Sequence, residues 1–185
     1  MKALLDQFTN GKFKANKDLK KLLADSKVKI VIRNNNRVNA NALLEKCPGQ
    51  PNQVTIAVCT ALFEDANKEI LPGLLAHEME HLLDYHKRPQ GHEADQEHAC
   101  ETFADITGTH IAVGAGLDPR PFGRYMGNHY RRTLLEFDDS PRGNYREETF
   151  EKTYNVLRQE ENTKTQNDTT KNFSLIREKQ MKLHS

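Results

Sequence analysis

Two histidines four residues apart sit inside a leucine-rich run, Leu74-Leu75-Ala76-His77-Glu78-Met79-Glu80-His81-Leu82-Leu83. No other stretch constrains the chain as strongly. On an α-helix, residues four apart lie on one face, one turn above the other. Both imidazoles can therefore grip one Zn²⁺ at about 2.0–2.1 Å each. Glu78 follows His77 directly and can face the open metal position, where it takes a proton from bound water. Leu71, Leu74, Leu75, Leu82 and Leu83 surround the motif with apolar bulk and predict a largely buried helix, from about Asn67 to Tyr85. Burying histidine and glutamate costs free energy unless something satisfies them. A metal ion does so; a hydrogen-bonded histidine pair without metal is the alternative, and a third ligand discriminates between them.

A catalytic zinc site commonly has three protein ligands and one open position. The HExxHxxGxxH pattern would need Gly at position 84 and His at position 87, where this chain has Asp84 and Lys87. His86, five residues past His81, is rotated off the ligand face. Glu101-Thr102-Phe103-Ala104-Asp105 fits better, on a second long helix predicted from Glu93 to about Gly114. A short loop makes the two helices antiparallel neighbours, so Glu101 can point back at the metal. Asp105, one turn further, can accept a hydrogen bond from a ligand histidine and fix its ring. Glu97, one turn earlier, is the rival ligand; His92, His98 and His110 read as surface or supporting groups.

The remaining elements follow from local pattern. Residues 1–26 predict two short packing helices, with Leu4, Leu5 and Phe8 on one stripe, Leu19, Leu22 and Leu23 on another, and a break at Asn10-Gly11. Val28–Ile32 and Val54–Val58 read as strands, with Val38–Ala42 between them. The expected fold class is α+β: a small antiparallel sheet packed on a helical zincin core. Pro72 suits the first turn of the metal helix. Asp118-Pro119 opens another helix as cap and first residue, with residues 122–137 and 144–158 helical beyond it. Residues 1–158 read as one domain and 159–185 as a polar tail, with a short helix around Phe173–Lys182.

Composition bounds the partners. With 27 basic and 26 acidic side chains, nothing marks a nucleic-acid or membrane surface. No apolar run approaches the ~20 residues of a membrane span. The first residues turn polar too early for a signal peptide. Cys47, Cys59 and Cys100 form no framework and read as buried thiols in a reducing compartment. A cytoplasmic chain is expected, or one exported without a classical leader; its oligomeric state is not encoded in any pattern.

These motifs together resemble the gluzincin metallopeptidases, in particular the HtpX-like and CAAX-prenyl-protease-like peptidases and their small soluble relatives, the minigluzincins. The likeness runs from about Val28 to Arg146. Val38–Ala42 looks like the family's Asn-Ala segment and Val54–Val58 like its following strand. Leu75–His81 is similar to its LAHExxH helix, Glu101–Asp105 to its ExxAD motif, and Gly116-Leu117-Asp118-Pro119 to its GxDP. The family's membrane helices are absent. A family histidine before proline, thought to help hold the oxyanion, is Ser140 here, followed by Pro141.

The resemblance implies a zinc-dependent peptidase acting on a peptide or protein substrate. His77, His81 and Glu101 hold Zn²⁺, Glu78 activates water, and Asp105 orients a ligand histidine. Arg146 stands at the matching distance for the oxyanion, with Tyr145, His129 and Tyr130 as alternatives. A sheet edge beside the metal can add an extended peptide as a strand. The missing histidine leaves a second reading: an inactive zinc-binding relative that serves as a protein-binding module. A deformylase-type hydrolase would want a cysteine ligand, and Cys59 lacks the sequence context for it. Autoinhibition by the first 26 residues, or by those after 159, is a further expectation.

Overall fold

The fold is that of a computed structural model, which describes residues 1–46, 48–87, 97–134 and 145–164. The chain is α+β, as the patterning predicts. Two compact units divide it, Met1–Tyr154 and Asn155–Ser185.

In the first unit, helices α1 (Lys2–Thr9) and α2 (Lys14–Ala24) come first. Their stripes pack: Leu5, Phe8, Leu19 and Leu22 all enter the core. Asn16 is fully buried and joins three helices. Its Nδ2 donates to Phe8 O at 2.7 Å and to Ile111 O at 2.9 Å, and its Oδ1 accepts from Phe13 N–H at 3.2 Å. Residues 1–26 are thus core elements of this unit.

Strands β1 (Ser26–Arg33), β2 (Ala40–Glu45) and β3 (Asn52–Cys59) follow. β3 lies in the middle, parallel to β1 and antiparallel to β2. The sheet is therefore mixed, which corrects the expected all-antiparallel arrangement. The cause is order: β1 and β2 run in opposite directions but leave a strand-wide gap between them, and β3 enters it. β2 starts further along than expected, at Ala40 rather than Val38, because residues 34–39 form the connection, in which Asn35 Oδ1 accepts the Arg37 N–H at 3.0 Å. One face of the sheet carries Val54, Ile56, Val58 and Leu44, all buried, against the helices.

A short 3₁₀ segment, Thr60–Phe63, leads to α3 (Leu71–Lys87). The helix begins four residues later than the pattern suggests. Asn67 is used in the preceding turn, where its side-chain amide donates to Ala61 O at 2.9 Å. Pro72 does sit in the first turn. α4 (Glu97–Gly114) and α5 (Arg120–Leu134) complete the helical layer. Gly116, with φ +78°, turns the chain between them, a conformation that glycine adopts without a Cβ clash. Asp118 Oδ1 accepts the Arg120 N–H at 3.0 Å, which ties down the start of α5 as the cap reading expects. Residues 145–154 form α6 and close this unit, with Phe150 buried edge-on to Phe122.

In the second unit, residues 155–164 are helical, and Arg158 pairs with Glu161 at 2.9 Å. The expected helix around Phe173–Lys182 lies outside the described residues, as do Cys47, His92, Ser140 and Pro141.

Candidate metal centre

α3 is buried along most of its length, with Leu75, Ala76 and Met79 fully enclosed. α4 crosses it closely because Gly108 faces His77: a Cβ there would meet the His77 backbone at 2.9 Å. Glu101, Asp105 and Gly108 follow the i, i+4, i+7 spacing of one helix face. The glycine that allows the approach thus shares a stripe with the two carboxylates that use it.

His77, His81 and Glu101 form a group able to hold a metal ion. His77 Nε2 lies 3.1 Å from His81 Nε2 and 3.3 Å from Glu101 Oε2, and His81 Nε2 is 3.3 Å from Glu101 Oε1. Metal bonds of about 2.0–2.1 Å at tetrahedral angles put neighbouring donor atoms about 3.3–3.4 Å apart. The observed distances are close to that spacing, with each histidine approaching a different oxygen of Glu101, and two imidazoles with one carboxylate are a donor set a divalent cation takes. His77 is enclosed, at 5% side-chain exposure, whereas His81 at 31% and Glu101 at 37% leave one side of the group open.

The surroundings polarise these side chains. Asp105 Oδ1 stands 2.8 Å from His77 Nδ1, close enough for an ion pair though off the line of a good ring N–H hydrogen bond. Burial opposes a charge on His77, yet Asp105 and Glu101 outweigh it and push the imidazole from its ordinary 6.5 up to about 9. Glu101 is held far below the usual carboxylate range by its bonds to His77 and His81. Glu78 is pushed up, chiefly by burial. Its Oε2 accepts the Ala42 N–H of β2 at 3.1 Å, so the carboxylate is pinned between α3 and the sheet edge.

Arg146, on α6, reaches the same group but not as an open cation. Its Nε and Nη2 both engage the Asp105 carboxylate, and Nη1 lies 3.4 Å from Glu101 Oε2. Tyr145 is 54% exposed and its carbonyl accepts the Thr149 hydroxyl. His129 is exposed and stacks on Tyr125, centroids 6.1 Å apart. The structure thus gathers His77, Glu78, His81, Glu101, Asp105 and Arg146, while the contacts described for Tyr145 and His129 are with other side chains. The side chains of the rival Glu97, of His98 and of Tyr130 lie outside the described residues. His110 bonds Ile106 O through Nδ1 at 2.9 Å and edges onto Phe13, a packing role. Cys59 is a buried free thiol, as expected.

Two partnerships escape sequence reasoning. One is the Ala42 amide on Glu78, since a backbone donor leaves no residue-type signature. The other is the Arg146 fork on Asp105, which joins positions 41 residues apart. The close approach at Gly108 had a signal, a lone glycine on the Glu101–Asp105 stripe.

No protein-family model matches the chain, and a comparison with curated proteins returns no match. Among the described residues, no helix is long and apolar enough to cross a membrane.

Proposed function

We propose that this chain is a zinc-dependent endopeptidase of the gluzincin type. The observation that carries the reading is the convergence of His77, His81 and Glu101, with ligand atoms close enough to share one ion, and the Glu78 carboxylate on the same helix as the two histidines. His77, His81 and Glu101 would hold the zinc, which would supply a Lewis acid for a peptide carbonyl and for a water. Asp105 holds His77 in one ring orientation. Glu78, made more basic by burial, takes a proton and returns it to the leaving amine. In the antiparallel ladder, alternate residues aim their amides away from the partner strand. Ala42 points at Glu78, so Ala40 and Leu44 present their backbones along the same edge, where a substrate strand adds. Buried, free Cys59 fits a reducing compartment.

One observation favours a second reading, a zinc-binding relative without turnover. The Arg146 guanidinium, the candidate for the oxyanion, is engaged by Asp105 and Glu101. Elemental analysis of the purified chain and of its His77→Ala variant tests the metal, with zinc expected only in the former. A peptide-library digest with and without chelator tests turnover. Glu78→Gln should keep zinc and lose cleavage; if it cleaves at the parental rate, the mechanism is wrong. Zinc without chelator-sensitive cleavage of any peptide selects the second reading.

A further inference from the structure

The other edge of the sheet has its own recognition chemistry. β1 is an edge strand, and among the described residues no strand pairs with its far side. Its core-side residues are not covered: Val28 is 42% exposed, Ile30 37% and Ile32 59%. A groove of about 460 Å³ runs beside them, lined by Leu5, Leu23 and Ala24 from α1 and α2 and by Val28 and Ile30 from the strand; Lys2, Lys20 and Asp6 add polar lining. The opposite face of β1 carries Lys27, Lys29 and Arg33, all exposed and without an ion pair among the described residues. One strand therefore offers aliphatic side chains on one face and uncompensated cations on the other.

We propose that this edge docks an extended polypeptide segment that alternates aliphatic and acidic residues, added as a fourth strand beside β1. The added backbone pairs with the open edge, its aliphatic side chains continue over the groove, and its carboxylates lie beside Lys27, Lys29 and Arg33. Charge selects this occupant over a second copy of the chain. An antiparallel pair of β1 strands centred on Ile30 sets Lys27 opposite Arg33 twice, and like charges directly opposite are unfavourable. Lysines on an edge strand deter self-pairing in this way, and the same lysines attract an acidic strand. The site is independent of the metal group, which lies at the β2 edge.

The probe is a fluorescein-labelled seven-residue peptide alternating glutamate and valine, with a lysine–valine peptide as control. Both are titrated by anisotropy into the full chain with chelator present, at about 50 mM salt where screening is weak. Saturable binding of the acidic peptide is expected, with slowed amide exchange across Ser26–Arg33. The Lys27→Glu/Lys29→Glu variant should bind it about tenfold more weakly or worse and gain affinity for the lysine peptide. Lys29→Gln, which keeps a polar exposed residue, should weaken it less and covers the case that the double variant does not fold. Absence of saturable binding, equal affinity in the charge variants, or exchange protection confined to β2 would overturn the proposal. So would sedimentation of the chain alone as a dimer that the acidic peptide does not dissociate.

Discussion

Arg146 grips Asp105 with both arms of its fork: Nε lies 2.7 Å from Oδ2 and Nη2 2.6 Å from Oδ1, and both side chains are almost fully buried. Asp105 in turn stands against the ring of His77. The cation therefore touches the candidate metal group twice, through the Asp105 carboxylate and by the 3.4 Å approach of its Nη1 to Glu101 Oε2.

Removing one partner of a buried ion pair leaves the other uncompensated, at a cost of about 3–5 kcal/mol. Arg146→Ala should lose about that much in urea unfolding of the metal-free chain, and metal affinity should fall by about 10–100-fold. Arg146→Lys keeps the charge without the bidentate fork and should recover only part of both. Wild-type zinc affinity in a stably folded Arg146→Ala variant would show that the fork does not position His77.

Gly108→Ala places a methyl group against the His77 backbone. Overpacking of this kind costs about 1–3 kcal/mol. The helices must separate to admit it, so the Glu101 donors should leave the histidine pair. Zinc titration should show weaker binding, out of proportion to the loss in thermal stability.

The metal-free chain should have a definite pH profile. His77 has its proton affinity raised on folding, from 6.5 to about 9, chiefly against burial and through Asp105 and Glu101. Its contribution to stability is full below 6.5 and is lost as pH rises through about 9. Glu101 is depressed below its ordinary 4.5, so its contribution is present above that value and is lost as the medium becomes strongly acidic. Urea midpoints measured with chelator should therefore be highest between about pH 4.5 and 6.5 for this pair of groups. His77→Gln should remove the alkaline decline.

Asn16→Leu tests the N-terminal helices. It strips hydrogen bonds from the Phe8 and Ile111 carbonyls deep in the core, a loss of about 1–3 kcal/mol. Zinc binding by the folded fraction should be unchanged. A falling zinc affinity would mean that α1 and α2 support the metal group directly.

Local spacing carried most of the metal group. The interval of four between His77 and His81 and the stripe of Glu101 and Asp105 are properties of helices, and helices form from near neighbours. The helix ends were less legible, because Asn67 is drawn into a side-chain bond with Ala61 that no periodicity reveals. Sheet order was not legible at all. Val28–Ile32 and Val54–Val58 announce strands by alternation, but alternation is blind to which strand lies between the others. Only the family resemblance points to Arg146, and it points to the oxyanion; the residue's actual neighbour, Asp105, depends on how α6 folds back onto α4.

The placement of β3 between two earlier strands has a consequence for synthesis. As the chain leaves the ribosome, β1 and β2 emerge with nothing to pair with, since neither touches the other. Only when residue 59 is free can the three close together, and the histidine helix is the next long segment to arrive. The nascent segment bearing Val28, Ile30 and Ile32 therefore stays without a strand partner until the third strand has been made, so sheet closure is a late, all-at-once event for this stretch.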